Sequence, residues 1–300
     1  MIRKLGVIAQ CARGRGAARA MGTACAIGLA LIMTLSQARS QSFRLPDSMA
    51  LEASGFGGST VASSFGSDFN TAILGGRSAV SIRPMDRFSA QVEVQGEHSG
   101  VYCPACFDSS YLAGGGHLDL TFAGGTDAGL FGGYAGLTPT FHAPHTTDGF
   151  VGGEIKHDFG AFLLGGQGGY LNNVSGPGTL TNAWFVEGRA QVAIEPWLGS
   201  SMSRTMTMGV RLGYAEGKIS NGPISASSTQ WGSYLGVRLP NTPAKVFVDY
   251  TGFTNRQAAL GTVWTENRLT GGLVYLIGAP PEKLEPMTPL PLVLNASYKF

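Results

Sequence analysis

Residues 88–95 read Phe-Ser-Ala-Gln-Val-Glu-Val-Gln, with the apolar members Phe88, Ala90, Val92 and Val94 on every second position. Successive side chains of a β-strand point to opposite faces, so this stretch has one apolar face and one polar face, with Glu93 in the middle of the polar one. The same period recurs downstream. Leu118, Leu120 and Phe122 alternate with His117, Asp119 and Thr121. Trp184, Val186, Ala190, Val192 and Ile194 alternate with Glu187, Arg189, Gln191 and Glu195. Met206, Met208, Val210, Leu212 and Tyr214 alternate with Thr205, Thr207, Gly209, Arg211 and Gly213. Trp231, Leu235, Val237 and Leu239 alternate with Gln230, Gly232, Tyr234 and Arg238. A 3.6-residue stripe fits none of these segments, so the chain is all-β.

The pattern predicts about 12 strands, over residues 49–58, 71–83, 86–97, 111–123, 128–138, 149–157, 160–171, 182–195, 204–216, 229–239, 244–254 and 263–277. All 15 prolines lie outside these segments, as expected where a missing N–H would otherwise break a ladder. Connections after the odd strands (59–70, 98–110, 139–148, 172–181, 217–228 and 255–262) are longer than most of those after the even strands. Long loops alternating with short turns, and strands long enough for a tilted bilayer crossing, are the signature of an antiparallel transmembrane β-barrel.

The N-terminus carries an export signal. Arg3, Lys4, Arg13, Arg15 and Arg19 precede an apolar run over residues 24–35, and Ser36-Gln37-Ala38 places small residues at a cleavage site. A dozen apolar residues is well short of the roughly 20 that cross a bilayer as a helix. Five of the 21 basic residues and none of the 19 acidic ones lie in residues 1–38, which leaves a net charge of −3 from Arg39 onward. The apparent basicity belongs to the leader, and nothing points to a nucleic-acid partner. The expected organisation is a cleaved signal peptide (1–38), a periplasmic N-terminal segment (39–48), a barrel (49–277) and a Pro-rich C-terminal segment (278–300).

A secreted soluble sandwich would alternate too, with its apolar face inward. Two features favour the inverted arrangement. The polar face carries charge at mid-strand, in Glu93, Asp119, Glu154, Lys156, Glu187, Arg189 and Arg211. Aromatic residues on the apolar face (Phe88, Phe122, Trp184, Tyr214, Trp231 and Tyr275) gather toward strand ends, as in the girdles of membrane barrels.

The tail Leu290, Leu292, Leu294, Ala296, Tyr298 and Phe300 alternates to a terminal phenylalanine. This resembles the C-terminal signal by which Gram-negative outer-membrane proteins are delivered to the barrel-assembly machinery. The Gly-rich region from residue 39 onward resembles the small porin-like outer-membrane barrels of α-proteobacteria. The resemblance implies residence in the outer membrane, with its lipids and the assembly machinery as partners and Tyr298 and Phe300 as assembly signal. The expected location of this tail is outside a barrel that closes at strand 263–277.

The candidate functional surface is the inward face. Its charges balance: Glu93, Asp119, Glu187, Asp249 and Glu266 against Lys156, Arg189, Arg211, Arg238, Lys245 and Arg268. Buried charges need partners, so these residues predict either a filled structural barrel or a narrow passive pore. The inward glycines Gly209, Gly213, Gly232 and Gly236 are expected to leave lumen volume free. Cys103-Pro104-Ala105-Cys106 falls in a loop of an exported chain and predicts one local disulfide. His142, His145 and Asp148 have metal-ligand chemistry, but a bare H-x-x-H in a loop is a weak signal, and no metal or cofactor is expected. Ser110, His117 and Asp119 are the residue types of an outer-membrane hydrolase, an alternative function along with surface adhesion. Residues i and i+2 on a strand lie about 7 Å apart, too far for a direct relay.

Overall fold

The computed structural model describes residues 48–64, 67–101, 109–139, 145–194, 206–220, 222–239, 242–278 and 289–299. The expected signal peptide, the segment to residue 47, Cys103, Cys106, His142 and Phe300 lie outside the described residues. Twelve strands follow one another: β1 (Met49–Ser64), β2 (Ser67–Met85), β3 (Phe88–Val101), β4 (Ser109–Phe122), β5 (Thr126–Pro139), β6 (Thr146–Asp158), β7 (Phe162–Ser175), β8 (Leu180–Ile194), β9 (Met206–Ile219), β10 (Ser225–Arg238), β11 (Ala244–Gln257) and β12 (Gly261–Ile277). Each pairs antiparallel with its sequence neighbours, and β1 pairs with β12, from Leu51 opposite Ile277 to Ser64 opposite Trp264. The sheet is a closed barrel. Closure leaves no unpaired edge, the one β arrangement that satisfies every backbone group in lipid.

The strands run 13–19 residues and extend beyond the bounds expected from the pattern. The largest correction is at β1 and β2, whose ladder reaches Ser64 opposite Ser67. Most of the long loop expected over 59–70 is therefore strand, and only residues 65–66 separate β1 from β2. The other connections are also short, so the contrast between long and short loops largely disappears; residues 195–205 form the longest connection among those between strands. Two prolines expected outside the strands lie at strand ends. Pro139 is the last residue of β5, and Pro84 falls where the β2–β3 register slips between Ile82 and Met85. Neither position needs a ladder donor. The β4–β5 turn needs its glycines, since Gly124 and Gly125 take φ +89° and +87°.

The distribution of side chains is inside out. Val92, Val94, Leu118, Leu120, Leu130, Val151, Ile155, Val186, Val210 and Leu212 are exposed on the outer wall, while Glu93, His117, Asp119, Glu154, Glu187, Arg189, Glu266 and Arg268 are buried within. Each large apolar side chain gains about 1.5–3 kcal/mol on leaving water. A belt of them held outward is stable only against an apolar surrounding. Among the described residues no helix is long and apolar enough to cross a membrane.

The girdle aromatics face outward. Phe88, Phe122 and Tyr275 lie near the rim where β1 begins and β12 ends, here the terminal rim. Trp184 and Tyr214 pack together nearer the far rim, with ring centroids 5.4 Å apart. Trp231 is the exception. Because β10 starts at Ser225, it sits at mid-strand, with its indole over Gly252.

Candidate functional site

The interior divides into two halves. Toward the terminal rim lies a charge network. Arg77 donates to Glu52 (2.7 Å) and to Glu93, and Gln91 also reaches Glu93 (3.3 Å). His117 stacks on Phe131 and bonds through Nδ1 to Glu154 at 2.8 Å, while its Nε2 stands 3.9 Å from Glu93. The network ties β1, β2, β3, β4 and β6 across the lumen. Neither Glu52 nor Arg77 stands out in the sequence, because β1 and β2 are diluted by Gly and Ser.

The expected lumen residues are placed as follows. Glu93 is 1 % exposed, and Asp119, Glu187, Arg189 and Arg268 are also buried. Arg211 faces Asp249 at 3.4 Å between β9 and β11. Arg268 donates from Nη1 to both Glu97 oxygens at 2.9 Å, a bond across the barrel. Arg238 ends β10 at the terminal rim, half-buried and opposite Lys245 in the ladder.

The inward glycines do not leave free lumen volume. A methyl group on Gly209 would fall 2.1 Å from the Tyr234 ring, one on Gly213 2.5 Å from Gln230, and one on Gly236 2.0 Å from Lys245. At Gly232 the neighbours are Thr251 at 3.2 Å and Arg211 at 3.6 Å. A neighbouring side chain lies across each bare backbone, the arrangement by which aromatics cover strand glycines. The cavity among Arg83, Thr121, Asp127, Lys156, Asp158 and Leu163 at the terminal rim measures about 150 Å³. Ligand pockets usually start near 300 Å³.

The far half holds an apolar cluster, with the buried carboxylates Asp148 and Glu266 beside it. Tyr111, Phe131, Phe150, Leu171 and Phe185 face inward and form one cluster with Leu290, Val293, Leu294 and Tyr298 of the C-terminal segment. The rings lie flat because the wall beneath them is glycine: a methyl group on Gly152 would meet Phe131 at 2.5 Å, and one on Gly133 would meet Phe150 at 2.9 Å. At the β8–β9 register shift near Asn182 (φ +48°) the facing alternation resets, which turns both Leu180 and Ala183 inward.

Residues 289–299 therefore lie inside the barrel and not beyond its end, as the reading of the tail had it. A one-turn helix, Val293–Ala296, sits amid the aromatic cluster. The Asn255 amide donates to the Ala296 and Lys299 carbonyls (2.8 and 2.9 Å), and the Leu180 N–H to the Ser297 carbonyl (3.0 Å). Lys299 reaches Glu266 at 2.6 Å, and Tyr298 packs edge-on against Tyr111 with centroids 6.0 Å apart. The segment climbs from Leu290, beside mid-strand Gly115, to Tyr298 near the far rim.

Two other groupings come apart. Ser110 is exposed and bonded to His98 (3.0 Å), whereas His117 points inward, so strand parity separates the hydrolase residues. His145 is exposed and bonded to Thr138 (2.9 Å), while Asp148 is buried against Asn173 and Ser297. Among the described residues no group of three His, Cys, Asp or Glu side chains is placed to hold a metal ion.

No protein-family model matches the chain, and no curated protein sequence matches it. Among solved structures the chain is similar to an outer-membrane channel from Pseudomonas putida F1. The TM-score is 0.55 at 11% identity, over 79% of this chain and 98% of that one. It is also similar to the translocator domain of the autotransporter NalP from Neisseria meningitidis, at TM-score 0.43 and 9% identity, over 85% and 97% of the two chains. The KdgM porin in complex with disordered oligogalacturonate gives TM-score 0.42 and 10% identity, over 75% and 98%. The likeness to the Pseudomonas channel is one of fold, and it places this chain's architecture among the barrels of Gram-negative outer membranes.

Proposed function

We propose that this chain is an integral outer-membrane protein, exported through a cleaved signal peptide, whose barrel is a filled structural wall with at most a narrow passive pore. The observation that carries this reading is the inverted distribution of side chains, apolar outside and charged inside. Paired charges of both signs favour a filled lumen with little ion selectivity, since selective pores line up charge of one sign. Twelve strands fall between small barrels filled by side chains and porins of about 16–18 strands. The small porin-like type of the α-proteobacteria belongs to this reading, with outer-membrane lipids and the barrel-assembly machinery as partners. It assigns the barrel no chemical activity. Planar-bilayer recording on the refolded full chain tests it: small, weakly selective conductance is expected, and large, steady, porin-sized channels would contradict it.

A further inference from the structure

The C-terminal segment is held like a bound peptide. Three barrel carboxylates on three strands each receive a donor from it: Glu187 from the Leu292 N–H (2.8 Å), Asp148 from the Ser297 hydroxyl (3.1 Å) and Glu266 from the Lys299 ammonium (2.6 Å). The barrel reads its backbone as well, through the Asn255 amide and the Leu180 N–H on three tail carbonyls. Between these polar contacts Leu290, Val293 and Leu294 fill the aromatic hollow. The Lys299 ammonium also lies over the Trp264 and Phe253 rings, 5.3 and 5.7 Å from their centroids, a cation–π arrangement. None of residues 289–299 belongs to a strand of the barrel, and β12 ends at the terminal rim, so the segment can leave without breaking a strand.

We propose that the far half of the lumen is a binding site for a cationic peptide with apolar side chains, that residues 289–299 occupy it in cis, and that their withdrawal opens a cation-preferring passage. The ligand class follows from the contacts. Arg268 stays on Glu266 and also donates to Asn295 (3.4 Å). Removing the segment still takes the Lys299 ammonium from Glu266 and leaves Asp148 and Glu187 without the donors the segment supplies, so the emptied site becomes more acidic beside its backbone-reading and apolar groups. Rings of carboxylate favour cations in pores. This inference rests on the narrow-pore reading above.

The test compares the full chain with V293D/L294D, which keeps Tyr298 and Phe300 in place. Two acidic residues in an apolar hollow beside Asp148 and Glu187 should expel the segment. Planar-bilayer conductance should rise severalfold and prefer potassium over chloride. A synthetic peptide of sequence PLPLVLNASYKF, added from the terminal side, should bring it back to the parental level, and the peptide with Lys299 replaced by Gln should block less well. Adding D148C/S297C to V293D/L294D, with Cys103 and Cys106 changed to Ser, should keep the channel shut until reductant is added. That switch reads opening on one folded population. If heat-modifiable V293D/L294D conducts no more than the full chain, or if reductant changes nothing, the displaceable segment is refuted while the barrel stands. Anion preference or absence of peptide block refutes the ligand class. If neither protein shows the gel shift of a folded membrane barrel, the underlying reading fails instead.

Discussion

Replacing Arg268 with methionine tests whether the buried charges hold one another in place. Arg268 is 6 % exposed, and its Nη1 bonds both oxygens of Glu97, itself 8 % exposed, across the lumen from β12 to β3. Its Nε bonds Glu266 at 2.5 Å, but Glu266 retains Lys299 and the Trp264 indole N–H (3.0 Å). The loss therefore falls mainly on Glu97, left buried with its guanidinium partner gone. Breaking a buried pair from one side costs about 3–5 kcal/mol, while replacing both partners by apolar groups is often neutral or stabilising. R268M should accordingly lower unfolding stability by about 3–5 kcal/mol, and R268M/E97L should recover most of that loss. Urea unfolding in lipid vesicles, followed by the fluorescence of the chain's four tryptophans, measures both. A loss under about 1 kcal/mol for R268M, the range of a solvated surface pair, would refute the reasoning. So would a double variant weaker than the single one.

G209V puts a side chain where the Tyr234 ring lies, so it should cost about 1–3 kcal/mol as overpacking, and Y234A in the same chain should relieve it in the same unfolding assay. Cys103 and Cys106 should form one intramolecular disulfide of limited stabilising value, because the loop they close is so short. Alkylation of denatured, unreduced protein from cells should label neither, and labelling of both would contradict this. Deleting Phe300 should lower the assembled amount without changing the gel shift of the molecules that do assemble; unchanged surface levels would show that the tail is no assembly signal.

The twelve strands and their order are legible in the sequence because a wall between lipid and lumen imposes a period of two on nearly every strand, as Phe88–Gln95 does. Strand ends are less legible. Beyond Gly57 in β1, Gly, Ser and Ala predominate, and the pairing that carries the ladder to Ser64 comes from the backbone and not from apolar side chains. The inward charges are visible in residues such as Glu93, Glu187 and Arg268, whose charge sits between outward apolar neighbours. The inward apolar cluster is hidden, because alternation assigns aromatics to the outer wall. Its trace is the runs with both parities apolar, Trp184-Phe185-Val186 and Phe150-Val151, where one residue faces lipid and the next faces the tail. The tail alternates as a strand does, so its pattern resembles an assembly signal, and its seat among Phe131, Phe150 and Phe185 depends on contacts between residues far apart in sequence.

If β4 separates lipid from a buried charged interior, accessibility along it alternates from one residue to the next. Single cysteines at residues 116–122, introduced one at a time into protein lacking Cys103 and Cys106 and carrying a nitroxide, test it in reconstituted bilayers. The account predicts oxygen accessibility with a period of two: high at Leu118, Leu120 and Phe122, and low at His117 and Asp119. High accessibility at Asp119 with protection at Leu118 and Leu120, or no periodicity at all, would contradict it.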